Sequence, residues 1–492
     1  MAHSARSLGI ALLAAPLVAA AQAPASGGPP PAPGAVTWQG SLRVRPEHWD
    51  WFGADGGRYG YLGLLARASL QQQRARVGWR VELAAPAVLG LPDDAMRPPP
   101  RGQQGFGAAY WAANDSAESP VGLFVKQAYV RLGAPPKEAR HSLRLGRFEY
   151  SEGAETTPEQ TTLAALKRDR VAQRLLAPFG FTHVGRSFDG AHYAFAHPAA
   201  NVALVAALPT RGALDVNGWS SLNVRLGYGA LTRPFTWRGG AGEWRVFGLL
   251  YQDRRNVLKT DNRPAAARAA DREDVSVQTL GAHYAHVFVG GLGEADLLLW
   301  GALQGGSWGA LDHRAHAEVA ELGWQPPAKK GALRPWLRVG WDRGSGDADP
   351  GDDGHRTFFQ VLPTARVYAR FPFHNMMNSE DLFASLYLRG GALRTVTLRA
   401  DAHRLRLTRA EDLWYSGGGA FEPNSFGYAG RPSAGARDLA TLADLSADWK
   451  VNDHLSLVAY GAVAPPGRVI ERTYPDGSGA GHLLYLEAEL RR

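Results

Sequence analysis

The chain contains no cysteine among its 492 residues. This absence excludes a disulfide framework, a thiolate metal site and a bacterial lipid anchor on cysteine. After residue 23 no stretch of about 18 consecutive apolar residues occurs, so the sequence predicts no membrane-spanning helix. A His-Glu-x-x-His zinc motif is also missing. We therefore expect no enzyme, no bound metal and no cofactor.

The first residues carry the pattern of an export signal. Arg6 precedes an apolar run at 8–20, and Ala-Gln-Ala at 21–23 offers a cleavage site made of small residues. We expect a signal peptide over 1–23, a Pro/Gly-rich linker over 24–36 and one folded domain over 37–492. An exported chain without disulfides or spanning helices is either a soluble β protein or a transmembrane β-barrel.

Lysine is scarce, since only 7 of the 54 basic side chains are lysine and the rest are arginine. The formal net charge is +8. Codon usage in a GC-rich genome explains such a bias without any function. A water-filled lumen that attracts anions explains it as well. The positions of the arginines have to decide between these two interpretations.

Apolar and charged residues alternate along many segments of strand length. Within 334–342, Leu337 and Val339 alternate with Arg338 and Asp342. A period of two is typical of a strand with two different faces. The same alternation occurs at 40–49, 142–148, 221–228, 395–407, 444–451 and 483–492.

The connections between the predicted strands sort by their order in the chain. We count about eighteen strands between 37 and 491. Even-numbered connections are short, apart from a longer gap at 232–241, whereas the odd-numbered ones at 87–121, 151–186, 256–273, 345–381 and 410–438 are long. This sorting predicts an all-β fold, a transmembrane antiparallel up-and-down β-barrel with long external loops and short periplasmic turns.

Two segments fit this pattern poorly. Lys126 interrupts the apolar face of 124–133, and Phe247 and Leu249 fall on the predicted lumen face of 243–252.

Several stretches resemble the alginate-export family of outer-membrane channels. The resemblance is carried by 124–195, in which Val-Gly-Arg-Ser-Phe-Asp-Gly at 184–190 is the most specific piece, and further by 358–369, 375–389 and 444–462. It extends in patches from about residue 37 onwards. It implies an eighteen-stranded monomeric barrel whose arginine-rich lumen passes an anionic polysaccharide.

Arginines on the charged faces are the candidate binding residues. If their apolar neighbours face lipid, these arginines line the lumen, because an arginine at the bilayer midplane costs about 2–4 kcal/mol. They either form a net anion-guiding stripe or pair with wall carboxylates such as Asp342, Asp444, Asp448, Glu487 and Glu489. The candidates are Arg43, Arg45, Arg144, Arg225, Arg334, Arg338, Arg399, Asp401, Arg404 and Arg406.

Three local features add to this interpretation. The adjacent polar residues His403 and Arg404 predict a β-bulge that keeps Arg404 and Arg406 inside the barrel. Asp189 in the 184–190 motif is expected to pair in the lumen with Arg186 or a neighbour. The carboxylates at 344–355 lack the EF-hand pattern and predict a solvated external loop rather than a calcium site.

The long connection 151–186 contains a basic helical pattern that opens at Pro158 and Glu159. Folded into the barrel, it would narrow the pore and select anions; otherwise it is a surface helix on neighbouring loops. Its candidate binding residues are Arg168, Arg170, Arg174 and Arg186.

The sequence thus predicts a bacterial outer-membrane channel for passive, anion-selective passage of an acidic polysaccharide or saccharide. The alternatives are a general or small-anion uptake porin and a non-conducting structural or adhesion barrel. As partners we expect outer-membrane lipid, the barrel-assembly machinery, an anionic saccharide and periplasmic export proteins. We expect a monomer and no nucleic acid.

Overall fold

The structure is a computed structural model that describes residues 34–133, 141–327, 331–364, 370–477 and 479–492. The predicted signal peptide and most of the predicted linker lie outside the described residues. Eighteen long strands follow, the first beginning one residue before the predicted boundary. They are β1 (Val36–Asp50), β2 (Arg58–Gln73), β3 (Val77–Leu89), β4 (Phe124–Leu132), β5 (His141–Phe148), β6 (Phe188–His197), β7 (Ala200–Pro209), β8 (Val224–Trp237), β9 (Gly240–Asp253), β10 (Val275–Gly290), β11 (Gly293–Trp308), β12 (Leu311–Gln325), β13 (Leu333–Gly344), β14 (Ser379–Gly390), β15 (Val396–Leu407), β16 (Asp438–Lys450), β17 (Leu455–Ala464) and β18 (Gly481–Arg491).

The strands close into an antiparallel barrel. Each strand pairs with the next, and β1 also pairs with β18, where Leu42 lies opposite Leu490 and Trp49 opposite Leu483. A closed sheet has no free edge, so the backbone polar groups in the bilayer are all bonded between strands. The predicted all-β, eighteen-stranded up-and-down barrel is confirmed.

Helices are few and confined to the connections. In the described residues the α-helices are α1 (Phe106–Ala113), α2 (Thr161–Leu166), α3 (Ala265–Ala270) and α4 (Arg468–Thr473). Short strand pairs join Met96–Arg97 to Gly102–Gln103 and Leu413–Gly417 to Tyr428–Pro432, and Gly354–His355 pairs with β12. No helix in the described ranges is long and apolar enough to cross a membrane.

The predicted sorting of connections holds in the described residues, with one exception at the extracellular end. The long loops include 90–123, 149–187, 345–378 and 408–437, all at the extracellular end. At the periplasmic end, the gap predicted at 232–241 is in fact a two-residue hairpin. Arg238 and Gly239 both have positive φ, 48° and 71°, the geometry that tight hairpins require. One extracellular connection, 309–310, is equally short.

The outer surface matches a lipid environment. Outward-facing leucines and valines stay exposed in the middle of the strands, among them Leu250, Leu280, Leu303, Val339, Leu382, Leu445 and Leu486. Exposed tryptophans mark the periplasmic strand ends: Trp38, Trp237, Trp324 and Trp449. Aromatic girdles of this kind sit at the membrane–water interface of outer-membrane barrels.

A β-bulge explains why Lys126 interrupts an apolar face. The pairing of β3 with β4 passes from Glu82 opposite Gln127 to Leu83 opposite Val125, so Lys126 has no partner in the register. The extra residue turns the lysine inward, where it is buried and its Nζ donates to Val184 O at 3.0 Å. The lipid-facing side of β4 thus remains apolar.

The extracellular half of the barrel has an apolar interior. Phe247, Leu249, Leu405 and Leu407 all point inward and are buried. The inward loops supply their partners, because an aromatic cluster of loop and strand residues fills this end. Its members include Trp49, Trp51, Phe52, Phe371, Phe373 and Trp414.

Candidate functional site

The connection 149–187 folds into the barrel and does not form a surface helix. Helix α2 begins at Thr161, slightly later than the sequence predicts, and the Gln160 side chain accepts a hydrogen bond from Leu163 N at 2.5 Å. A turn of π-helix, Lys167–Val171, follows directly after α2. Leu163, Leu166 and Val171 pack on the inner wall against Val287, Leu298, Trp336 and Tyr387.

This inserted loop reaches the periplasmic end. Thr162 Oγ1 donates to Glu294 at the start of β11 and accepts from Gln325 Nε2 at 2.7 Å at the end of β12. Both strand ends lie at periplasmic turns. The loop therefore runs along one side of the lumen for most of the height of the barrel.

The basic residues of the inserted loop pair with carboxylates on the wall. Lys167 Nζ lies 2.8 Å from Glu243 Oε2 on β9, and Arg170 Nε lies 2.9 Å from Glu321 Oε1 on β12. Arg174 Nη1 lies 3.6 Å from Asp342 Oδ2 on β13. All three cations are buried. These ion pairs hold the inserted loop against the inner wall of the barrel.

Inward-facing arginines of the strands also have partners. Arg338 binds both Asp296 and Glu321, Arg45 binds Glu47 and Glu487, and Arg399 binds Asp401. Arg43 donates to the carbonyls of Gly180 and Thr182 in the inserted loop. Arg144 donates to His192 Nδ1. Of the predicted stripe, Arg45, Arg338 and Arg399 are therefore ion-paired with carboxylates of the barrel.

Four predicted lumen residues lie on the outside. Arg225, Arg404 and Arg406 are exposed on the outward face near the extracellular rim. Asp189 also faces outward and pairs with Arg147 at 2.7 Å, not with Arg186. The predicted bulge at 403–404 was wrong, because the register shifts only between Leu405 and Arg406.

These residues lie outside because, near the extracellular rim, the apolar side chains of the strands face inward and the charged ones face outward. There the loops fill the interior with apolar side chains, while the outside meets lipid headgroups and water. Leu405 and Leu407 thus turn inward, and Arg404 on the outside pairs with Asp438. Leu222, Val224 and Leu226 are inward for the same reason, which places Arg225 outside.

One group of arginines keeps a surplus of positive charge. Arg334 on β13 and Arg389 on β14 are direct cross-strand partners, both on the inward face near the periplasmic end. The side chain of Arg168, 68% exposed, projects from the inserted loop, and among the described residues its one ion pair is with its neighbour Asp169. The charges of Arg168, Asp169 and Arg334 all act on Arg389. We call Arg168, Arg334 and Arg389 the periplasmic arginine cluster.

A family model described as alginate export matches residues 123–479. The match covers more than half of the chain and includes the inserted loop as well as strands β4 to β17. The chain belongs to the alginate export family. Among curated proteins, none matches the sequence significantly.

Solved outer-membrane porins share the fold of this family member. A BenF-like porin from Pseudomonas fluorescens Pf-5 is similar with a TM-score of 0.54 at 9% identity, over 93% of this chain and 98% of that chain. The outer membrane protein OpdK from Pseudomonas aeruginosa reaches 0.52 at 9%, over 93% and 99%. OccAB4 from Acinetobacter baumannii reaches 0.52 at 9%, over 94% and 100%. Family and fold together identify an outer-membrane channel of porin architecture.

Arg389 is a cluster residue that the sequence prediction missed. A signal was available, because Tyr387 and Arg389 alternate with Leu386 and Leu388 in the same way as on the predicted strands. Arg370, which pairs with Asp448 at 3.0 Å, offered no such signal, because it lies in the long connection 345–378.

No group of three or more His, Asp or Glu side chains is placed to hold a metal ion within the described ranges. The carboxylates of the 344–355 segment are engaged locally, as when Asp352 pairs with Arg356 at 2.7 Å. A Gly-x-Ser-x-Gly pattern at 305–309 lies on β11 and its turn, not at the strand-to-helix elbow that hydrolases use.

Glu152, in the inserted loop, is expected to make the free energy of unfolding depend on pH. Its Oε1 accepts hydrogen bonds from Arg174 N at 2.9 Å and from Leu175 N at 3.1 Å. These bonds join the two sides of the inserted loop where it enters the barrel, which we call the neck of the loop. Burial raises the pKa of Glu152 from 4.5 to about 7, against the opposing charge of Arg245. Between these values the folded state holds a proton that the unfolded state has lost. The free energy of unfolding therefore falls as pH rises from 4.5 to 7, by about 3 kcal/mol.

The variant Glu152→Gln tests this expectation, because glutamine keeps the acceptor oxygen without the charge. At pH 8 we expect it to exceed the native protein in unfolding free energy by about 3 kcal/mol, and the gain should vanish below pH 4.5. Urea unfolding followed by tryptophan fluorescence measures the difference. Glu159→Gln, at an exposed carboxylate of the same loop, serves as control. A gain that persists at pH 4.5 would rule out ionisation of Glu152 as its cause.

Proposed function

We propose that this channel is anion-selective and passes an acidic polysaccharide or a smaller acidic saccharide passively across the outer membrane. The observation that carries the proposal is the periplasmic arginine cluster. Most other inward arginines are neutralised by wall carboxylates, whereas Arg168, Arg334 and Arg389 share only Asp169 among the described residues. Anions would therefore meet a positive potential at the periplasmic opening.

The geometry of the cluster supports a binding role over a structural one. Like charges directly across a strand pair destabilise a sheet, and Arg334 faces Arg389 in this way. Only Trp336, whose ring lies 5.3 Å from the guanidinium carbon of Arg389, offsets part of this repulsion. Guanidinium groups bind carboxylates through paired N–H donors, which suits the uronate units of an acidic polysaccharide.

The cluster also supports a direction-dependent interaction. An exported polymer would enter from the periplasm and meet the cluster first, and periplasmic export proteins would deliver it there. We infer a monomer that sits in outer-membrane lipid after insertion by the barrel-assembly machinery. No feature of the described residues favours nucleic acid.

Charge removal at the cluster provides the test in planar bilayers. We expect the native channel to prefer chloride over potassium, and Arg334→Gln with Arg389→Gln to lower that permeability ratio by about twofold or more. The matched control is Arg404→Gln with Arg406→Gln, which removes two arginines from the outward face. An unchanged ratio in the first variant, or a cation-selective native channel, would refute the proposal.

A second candidate, a small-anion uptake porin, is favoured by the inserted loop, which occupies part of the lumen. Blocking experiments separate the two. A polyuronate added on the periplasmic side should block the current if polymers enter, while neutral dextran should not. If only monomeric uronates carry current and the polymer neither blocks nor enters, the small-anion porin is the better description.

A further inference from the structure

A second candidate site lies at the opposite end of the barrel, among the extracellular loops. A small cavity lies among the extracellular loops, bounded by residues of at least five of them. Its walls include the aromatic side chains of Trp51, Phe106, Phe179 and Phe421, and Arg186 reaches into it. This cavity is separate from the periplasmic arginine cluster, and binding in it does not depend on conduction through the channel.

Arg186 is held rigidly at the cavity wall. Lys126 Nζ donates to its backbone carbonyl at 3.2 Å, and Ser187 Oγ donates to Lys126 O at 2.6 Å. On the side-chain side, Nη2 donates to Gly418 O at 2.6 Å. Gly418 must be glycine here, because a Cβ at that position would lie 2.6 Å from the Phe179 ring. The site is therefore built before any ligand arrives.

The guanidinium of Arg186 is buried without a counter-ion among the described residues. The side chain is fully buried, and its Nε and Nη1 have no hydrogen-bond partner there. Other buried arginines differ: Arg45 and Arg338 have carboxylates, and Arg431 donates to carbonyl and hydroxyl oxygens. Burial lowers the pKa of Arg186 to about 10, so the group is still a cation at neutral pH.

An unpaired buried cation costs several kcal/mol unless an anion completes it. The free volume is about 60 Å³, which is room for a few water molecules, because about 10–15 Å³ of such volume holds one water. A carboxylate with one or two further carbons fits this space. The aromatic walls favour an anion with an apolar end over a fully hydrated one.

We propose that the extracellular loops form a binding pocket for a small organic carboxylate, with Arg186 holding the carboxylate group. The carboxylate oxygens accept charge-assisted hydrogen bonds from the free N–H groups of Arg186. The short carbon tail packs against Phe106 and Phe179. Occupancy would cross-link the loops that bear Trp51, Arg186 and Gly418, and so stabilise the extracellular end.

Isothermal titration calorimetry of the full chain in detergent, at constant ionic strength, tests the pocket directly. The native protein should bind propionate at a single saturable site. Propionamide, which has the same shape without the charge, should show no binding, and sulfate should bind at least about tenfold more weakly than propionate. Absence of saturable propionate binding, equal binding of propionamide, or equally tight sulfate binding would each overturn the proposal.

Variants assign the effect to one residue. Arg186→Gln should weaken propionate binding by at least about tenfold, and Arg186→Lys should bind with intermediate affinity because it keeps the charge. Arg211→Gln is the matched control, since Arg211 lies in a neighbouring loop and already pairs with Asp215 at 2.6 Å. Native affinity in Arg186→Gln would overturn the assignment. Should that variant fail to fold, the comparison of the three ligands on the native protein still decides the matter.

Discussion

Replacing residues 156–171 by a short glycine linker is expected to raise the single-channel conductance several-fold and to move the selectivity towards cations. The replaced segment contains α2 and the turn Lys167–Val171, which occupy the lumen down to the periplasmic end. A barrel of this strand number encloses an aqueous channel when it is not filled. Opening that volume therefore widens the path for ions.

The change in selectivity follows from the charges left behind. The linker removes Lys167, Arg168 and Arg170, and their former partners Glu243 and Glu321 remain on the wall. Glu243 then loses Lys167, and Glu321 loses Arg170 although it keeps Arg338, so the lumen carries less positive charge and attracts cations more strongly. The neck of the loop should survive, because Gln173 N donates to Glu152 O at 2.8 Å and Glu152 N to Leu176 O at 3.0 Å, both outside the replaced segment.

Planar-bilayer recordings in symmetric and asymmetric salt measure both effects. The control replaces the external helix α3 (Ala265–Ala270), which buries no residue, by glycines. We expect that variant to keep the native conductance and reversal potential. If the replacement of 156–171 leaves the conductance unchanged, the inserted loop does not lie in the conducting path.

The barrel itself could be predicted because its determinants are local. Alternation along β13, with Leu337 and Val339 outside and Arg338 and Asp342 inside, is dictated by the two environments of one strand. Loop lengths follow from the topology of a barrel with its termini on one side. These signals are present in short stretches of sequence, so no knowledge of distant contacts is needed to read them.

The alternation of apolar and charged residues predicts the wrong facing of a side chain where the barrel interior is apolar and the outside is polar. Near the extracellular rim the interior becomes apolar, so Leu405 and Leu407 turn inward and Arg406 outward. Which end of a strand lies beyond the membrane depends on the barrel as a whole. The same limit applies to ion pairing: Glu321 receives Arg170 from a loop and Arg338 from β13, a meeting that no sequence spacing indicates.

Arg338→Met is expected to lower the free energy of unfolding by about 3–5 kcal/mol, the usual cost of leaving a buried charge without its partner. Arg338 is only 2% exposed and binds Asp296 on β11 and Glu321 on β12, so it joins three consecutive strands. Methionine fills a similar volume, so the loss is mainly electrostatic. Glu321 retains Arg170 at 2.9 Å, whereas Asp296 retains only the indole N–H of Trp336 at 2.7 Å.

The orphaned charge is thus chiefly that of Asp296, which makes the mechanism testable. In the double variant Arg338→Met with Asp296→Asn, most of the lost stability should return, because the second change removes the uncompensated carboxylate. Arg343→Met is the matched control on the same strand, since Arg343 is half-buried and its pair with Glu318 at 3.2 Å is worth at most about 1 kcal/mol. Urea unfolding in detergent, followed by tryptophan fluorescence, gives all three values. Equal losses in the Arg338 and Arg343 variants, or no recovery in the double variant, would mean that the buried pair is not what holds these strands together.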